Sequence, residues 1–569
     1  MRRGAGRVRP ENYTRSGMAE GLAAVIRQLP QTMALRVFLV LTFSAGSVGI
    51  ALPRQPQTPP SGHRTNQKEP PNDLERLRPK VRLGKVPAIA FGPGALVTRE
   101  KATQIRTCIA RLADIEEPDF GLSATMSGEA FLPLPDQRES QAMILTDHRF
   151  KSSAALHDLV KIGPAALPFL LDSLSDRTPT KLKLEHRSVF GGMWLANELW
   201  GNPVNDSEMK VLGTPKGREE VLEDEKHVES YTVKIGDICL VAIGQIVGRG
   251  YHAVRYQPTA CIVINSPTED VKLRQQVRKI WASEDPARKL FNSLLLDYAT
   301  EGVFQGESLD GWDLGSELQI KAAMRLLYYF PKQTAALLAD RLRTLDVNKT
   351  SNHGQGSPAT EEELDTFVRR EVANGVRTDR FIKAVAWCQE TKVREAVRAI
   401  FTRTDDVDIL LAALPAIEDT DRDVIRDRLQ IFLNAVPAQE GGAYGDGYNL
   451  LVALANRLGK DAAPAFARYL KDASAQRCHS AAQALQRTKG EWCVPILSRL
   501  LDDKRPVGGY TYAVHRADQH TRLPIRVCDV AAEALHFQHR EWRFTLEGEY
   551  KDLDRQIRVI RDKLTDNPH

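Results

Sequence analysis

A chain of 569 residues can hold several domains, or one extended repeat array whose length no single core limits. Hydrophobic residues make up 42% and charged residues 27%, which excludes long disorder outside an N-terminal segment. The 78 basic and 73 acidic residues leave a net charge of +5 and are intermixed, which argues against nucleic acid as a partner.

Residues 1–52 read as an N-terminal extension carrying an export signal. Arg27 and Arg36 precede an uncharged apolar run at 37–52, and a polar, proline-rich stretch follows it. The run is short for a bilayer span, so cleavage near Ser47–Ala51 is expected, with an uncleaved N-terminal anchor as the alternative. Residues 53–80 read as a disordered linker, because a Pro- and Gln-rich sequence without apolar periodicity builds no core.

Residues 81–150 read as a cap region. Ile105, Cys108, Ile109 and Leu112 lie at helical spacing, and Pro/Gly segments on either side read as loops covering the first repeat. Residues 151–300 open with a helix pair from Leu156 to Asp176, punctuated by Gly163 and Pro168. A long insertion at 177–233 follows, containing Trp194, Trp200 and an acidic run at 219–225. It leads into an apolar helix preceded by Asp237, read as its N-cap. Only 259–265, and more weakly 231–235, look strand-like.

Residues 301–440 remain helical. Leu318, Ala322, Leu326 and Tyr329 form one stripe, Pro331 opens the next helix, and further helices are expected at 361–373, 380–388, 392–402, 407–414 and 422–435. Residues 441–569 repeat themselves. Gly459 and Gly490, Pro464 and Pro495, Leu470 and Leu501, and Asp472 and Asp503 are each 31 residues apart. The earlier pair matches the second of these units at an offset of 327, with Gly163 meeting Gly490, Pro168 meeting Pro495 and Asp176 meeting Asp503. Glycine suits a left-handed helix end, and proline suits the first turn of the next helix. A shorter insertion at 504–525 then leads into a helix preceded by Asp529, also read as an N-cap.

These Gly/Pro-punctuated pairs resemble HEAT-like repeats, in particular the short bilin-lyase-type repeats. The resemblance implies an all-α class: an α-solenoid of antiparallel helix pairs, here with long loop insertions and a little β. It covers three units and identifies no activity.

The insertion at 504–525 gathers Tyr510, Tyr512, His515, Arg516, His520 and Arg522, read as an interaction loop. A metal site needs three or four ligands, and the sequence offers no HExxH, P-loop, dinucleotide or GxSxG motif. No catalytic residue and no cofactor are assigned. Trp194 and Trp200 read as anchors of the first insertion, with a ligand-pocket lining as the alternative. Cys108, Cys239, Cys261, Cys388, Cys478, Cys493 and Cys528 form no CxxC pair and read as buried thiols, with a Cys239–Cys261 bridge as the alternative. The expected function is an exported, non-catalytic scaffold that binds another protein. The alternative is a metal-binding protein or enzyme whose site joins the two insertions, using His515 and His520 with Glu223 or Asp224.

Overall fold

In a computed structural model of the chain, the described residues are 82–92, 97–116, 131, 133–134, 153–186, 191–199, 201–213, 226–256, 261–301, 314–347, 378–437, 445–488, 490–516 and 519–566. They are mostly helical with small β-sheets, and one continuous hydrophobic cluster runs from Ile105 to Ile560. The export signal, the linker and the expected helix at 361–373 lie outside the described residues.

The helix at Arg99–Arg111 buries Ile105, Cys108 and Ile109 against the helix Ala154–Ile162. That helix ends at Gly163 and the next, Leu167–Asp172, carries Pro168 in its first turn. The same order recurs at Gly459, where Asp446–Leu458 gives way to Ala463–Tyr469 with Pro464 in its first turn. Gly163 (φ 70°, ψ −134°) and Gly459 (φ 57°, ψ −128°) take the positive φ expected of a glycine helix end. Their ψ values put them outside the left-handed helical basin that the sequence pattern suggested. Pro495 likewise opens Val494–Leu500. The stretch Ala154–Ser175 is apolar enough to cross a membrane by composition alone, but it is this helix pair, half buried in the core.

Helix contacts run in two series. Leu314–Tyr329 packs on Thr378–Val385, which packs on Val407–Ala413, then Asp446–Leu458, Ala475–Arg487 and Val527–Gln538 in turn. Alongside, Pro331–Thr344 packs on Thr391–Arg403, and Arg422–Ala435 packs on Ala463–Tyr469, which packs on Val494–Leu500.

A recurring polar joint accompanies this packing. Arg278 donates to the Leu171 and Asp172 carbonyls, Arg428 to Phe401 and Thr404, and Arg457 to Leu414 and Ile417. Arg477 donates to Val436 O, Arg505 to Ala473 O and Arg561 to Leu501 O. Each accepting carbonyl lies at or just beyond a helix C-terminus, where the last carbonyls have no partner within the helix and carry partial negative charge. An arginine from a later segment supplies both the donor and the charge.

Aromatic side chains fasten the N-terminal segments. Phe91 stacks on Phe291 at 4.7 Å, and Phe131 meets Tyr328 and Tyr329 edge-on at 5.3 and 5.6 Å.

Candidate functional site

The second insertion is not a loop. Pro506–Arg516 and Gln519–Arg526 form an antiparallel hairpin, in register from Arg516↔Gln519 to Thr511↔Pro524. Tyr512 and Val514 are buried while Thr511 is exposed, the period-2 pattern of a strand with one covered face. The covering elements are the helix Ala475–Arg487 and the segment carrying Tyr550, whose ring lies 6.4 Å from Tyr512. Arg505 donates to Ala473 O at 2.9 Å and contacts Cys478 Sγ at 3.6 Å. Gly508 lies so close to the Gln476 side chain that a Cβ would approach it to 2.7 Å. The Tyr510 ring tilts against His479 at 4.6 Å.

The residues read as one interaction loop therefore separate. Tyr510 and Tyr512 turn toward the helices, and Tyr512, whose hydroxyl has no hydrogen-bond partner, has its pKa pushed up to about 12, chiefly by burial. Arg522 is exposed on the opposite face, opposite Ala513 in the ladder. His515 pairs in register with His520, and Arg516 with Gln519; only the backbone of these residues is described.

The first insertion is also partly β. Pro179–Glu185 pairs with Ser230–Lys234, and Gly192–Ala196 lies between Lys226–His227 and Cys261–Asn265 in a four-stranded sheet, parallel to the latter. Both strand-like stretches read from sequence are present. Trp194 is half-buried, edge-on to His227 at 6.1 Å. Trp200, Glu223 and Asp224 lie outside the described residues.

The strand pairs of the two insertions are held in the same frame. Asp176 Oδ1 accepts the Thr178 N–H (2.9 Å), and Asp503 Oδ1 accepts the Arg505 N–H (3.0 Å). The Asp176 carbonyl accepts from Gly236 and the Asp503 carbonyl from Cys528, while the Thr178 carbonyl accepts from Ile235 and the Arg505 carbonyl from Val527. In each copy the returning strand runs straight into an apolar helix, Ile235–Val247 or Val527–Gln538.

That continuity corrects the reading of Asp237 and Asp529. Each is the third helical residue, and the cap positions belong to Lys234 and Arg526, the last residues of the strands. Asp237 Oδ2 accepts the Lys234 N–H and Asp529 Oδ2 the Arg526 N–H, both at 3.0 Å. Each carboxylate reaches back to the N–H of the cap residue, from three residues further in.

Their surroundings differ. Asp237, fully buried, accepts from the Tyr231 hydroxyl (2.7 Å) and the Ser266 hydroxyl (2.6 Å). Burial pushes its carboxyl above the ordinary range, against the pull of these hydrogen bonds. Asp529 instead takes both ends of the Arg526 guanidinium, at 3.0 and 2.8 Å. That guanidinium also meets Asp554 at 2.8 Å and lies over the Tyr550 ring at 4.3 Å.

Sequence reasoning missed a cluster of buried charges on three separate segments. Arg249 makes a two-pronged contact with Glu208 (2.8 and 3.0 Å) and another with Asp297 (2.5 and 2.9 Å), all with side chains 2% exposed. Asn202 adds bonds to Asp297 and Thr300 at 2.9 Å. The short helix Asp206–Leu212, capped by Asn205, thereby fixes the first insertion to the helix Pro286–Tyr298. Scattered polar residues carry no periodic signal, so nothing in the sequence marked this cluster.

Among the described residues no group of three or more His, Cys, Asp or Glu side chains could hold a metal ion, and all seven cysteines are free. A Cys239–Cys261 bridge is thus corrected: Cys239 is buried inside its helix with its thiol pKa pushed up by desolvation, while Cys261 begins a strand. No family model, curated protein or solved structure matches the chain.

Proposed function

We propose that this chain is an exported, non-catalytic α-solenoid of HEAT-like helix pairs that binds another protein through its two β insertions. The observation that carries the reading is the shared hydrogen-bond frame at Asp176 and Asp503, which seats the two β insertions in the same way. The two series of helix contacts and the arginine joints between successive units support the array itself. A regular scaffold carrying insertions at defined positions suits recognition of a partner surface.

The test is crosslinking in the native host, comparing the parent with a variant altered on the outer hairpin face at Thr511 and Arg522. Loss of one specific crosslinked protein from the variant supports the proposal; identical crosslinks from both overturn it. Fractionation and N-terminal sequencing of the mature protein test export. An intracellular protein retaining residues 37–52 would reject both the secreted and the anchored form.

One observation favours a second reading, in which the hairpin binds a metal ion: His515 and His520 stand directly opposite each other in the ladder. Metal analysis of the purified protein decides it. Stoichiometric metal that disappears in the His515→Ala/His520→Ala variant would replace the scaffold-only reading, and absence of metal from the parent would reject the metal reading.

A further inference from the structure

Among the residues buried where the second hairpin meets its supporting helix, His479 is chemically out of place. It is 3% exposed, its Nδ1 is buried without a hydrogen-bond partner, and its ring lies against Tyr510. A neutral imidazole tolerates this position, because an unfilled lone pair costs little beside an unpartnered charge. An imidazolium would carry a second N–H and a full charge into a site with no acceptor.

The elements packed around it bring titratable and charged groups, but none makes a hydrogen bond or ion pair with His479 among the described residues. From the hairpin come Tyr510 and Arg505, the latter already engaged by Asp503. From Val527–Gln538 come Asp529, held by Arg526, and Glu533, whose carboxyl burial pushes up. From Asp446–Leu458 comes Tyr448, and on its own helix Cys478. Contact of an imidazolium with the Tyr510 ring recovers less than the unpaired buried charge costs.

We propose that the His479–Tyr510 contact is an acid-sensitive latch, and that protonation of the imidazole releases the hairpin Pro506–Arg526 from the helix Ala475–Arg487. Other described contacts of the hairpin with that helix are the Arg505 bonds at its base and the close passage of Gly508 over Gln476. The return strand is held separately, by the Tyr550 hydroxyl donating to Pro524 O and the Tyr550 ring lying 6.4 Å from Tyr512. Release uncovers the Tyr510 side of the hairpin, while Tyr512 keeps its contact with the Tyr550 ring. The inference does not depend on the hairpin being a binding element.

The sign follows from linkage. Desolvation lowers the His479 pKa from 6.5 to about 4 in the docked state. Docking is therefore strongest above the undocked value and weakens as pH falls between these limits, by up to about tenfold per pH unit.

The experiment is hydrogen exchange by mass spectrometry on the full chain between pH 7 and pH 4, corrected for intrinsic rates, in the parent and in His479→Phe, which keeps a ring against Tyr510 but cannot be protonated. In the parent, peptides covering 506–526 are expected to gain exchange by about tenfold per pH unit below the mid-6 range, while peptides from Asp446–Leu458 stay protected. In His479→Phe the hairpin peptides should stay protected throughout. Hairpin exchange that does not change with pH in the parent, or that rises equally in His479→Phe, overturns the latch. Should His479→Phe not fold, His479→Leu replaces it, and the parent profile still decides: loss of the hairpin together with the whole array counts against a local latch.

Discussion

Asp176 and Asp503 make the same pair of hydrogen bonds 327 residues apart: each carboxylate accepts the N–H two residues on, and each carbonyl accepts from the first turn of the helix that follows the hairpin. The two sites differ in one partner. Asp503 also holds the Arg505 guanidinium at 2.9 and 2.6 Å, which outweighs burial and keeps its carboxyl below the ordinary range. Replacing Asp176 by Ala should cost about 1 kcal/mol, and Asp503→Ala about 1 kcal/mol more, since it also frees the arginine that bonds Ala473. Urea unfolding of the two variants checks the order. Equal losses would show that the Arg505 pair contributes nothing.

Asp237 gives a pH signature. Its folded-state pKa is raised above the ordinary 3.8, so the folded chain holds that proton more tightly than the unfolded one. The contribution to stability is therefore largest at low pH and declines as pH rises from about 4 through the raised value. Asp237→Asn cannot titrate. It should be less stable overall by about 1–3 kcal/mol, because Tyr231 and Ser266 lose an acceptor, but it should lack this decline. Unfolding midpoints measured at stepped pH should converge as pH rises; parallel profiles would refute the assignment.

The Arg249 cluster predicts a large single effect and its repair. Arg249→Met leaves Glu208 and Asp297 buried without a counter-charge and should cost about 3–5 kcal/mol. Adding Glu208→Gln and Asp297→Asn removes both stranded charges and should recover most of the loss. Calorimetric melting of the single and triple variants measures this, and a triple variant no more stable than the single one would contradict it.

Gly163 and Gly213 separate steric from backbone effects. Both have positive φ, at 70° and 81°. A Cβ at Gly163 would come within 2.3 Å of the Tyr329 ring, whose hydroxyl donates to Val160 O at 2.5 Å, whereas a Cβ at Gly213 meets nothing within 4 Å. Gly213→Ala should cost about 1 kcal/mol from backbone strain alone, and Gly163→Ala substantially more because the ring must move. Similar losses in thermal unfolding would mean that Tyr329 yields freely.

Much of the helical fold was legible. The helices at Thr391–Arg403, Val407–Ala413 and Arg422–Ala435 stand within a residue of their expected bounds, because each buries one apolar stripe at helical period. The second hairpin was not, although Ser230–Lys234 of the first strand pair was read as strand-like. The Tyr512–Val514 alternation is flanked by Gly508, Gly509, His515 and Arg516, residues that look like loop, and the covering face that makes it a strand comes from Ala475–Arg487 and Tyr550. Asp237 and Asp529 were placed three residues early in the helix for a related reason. The cap is the last residue of a strand, and neither lysine nor arginine advertises a helix start. The Glu208–Arg249–Asp297 cluster and the partnerless His479 depend on long-range burial, which no local pattern encodes.

The arginine joints bear on how such a chain can change over time. Their acceptors are main-chain carbonyls of Asp172, Thr404, Ile417, Val436, Ala473 and Leu501, and a carbonyl survives any substitution of the side chain beside it. Only the arginine has to be kept, and no second residue must change in step with it. Successive units can drift far apart in sequence while remaining fastened to one another. The Gly and Pro punctuation is thus left as the part of the repeat still visible to inspection.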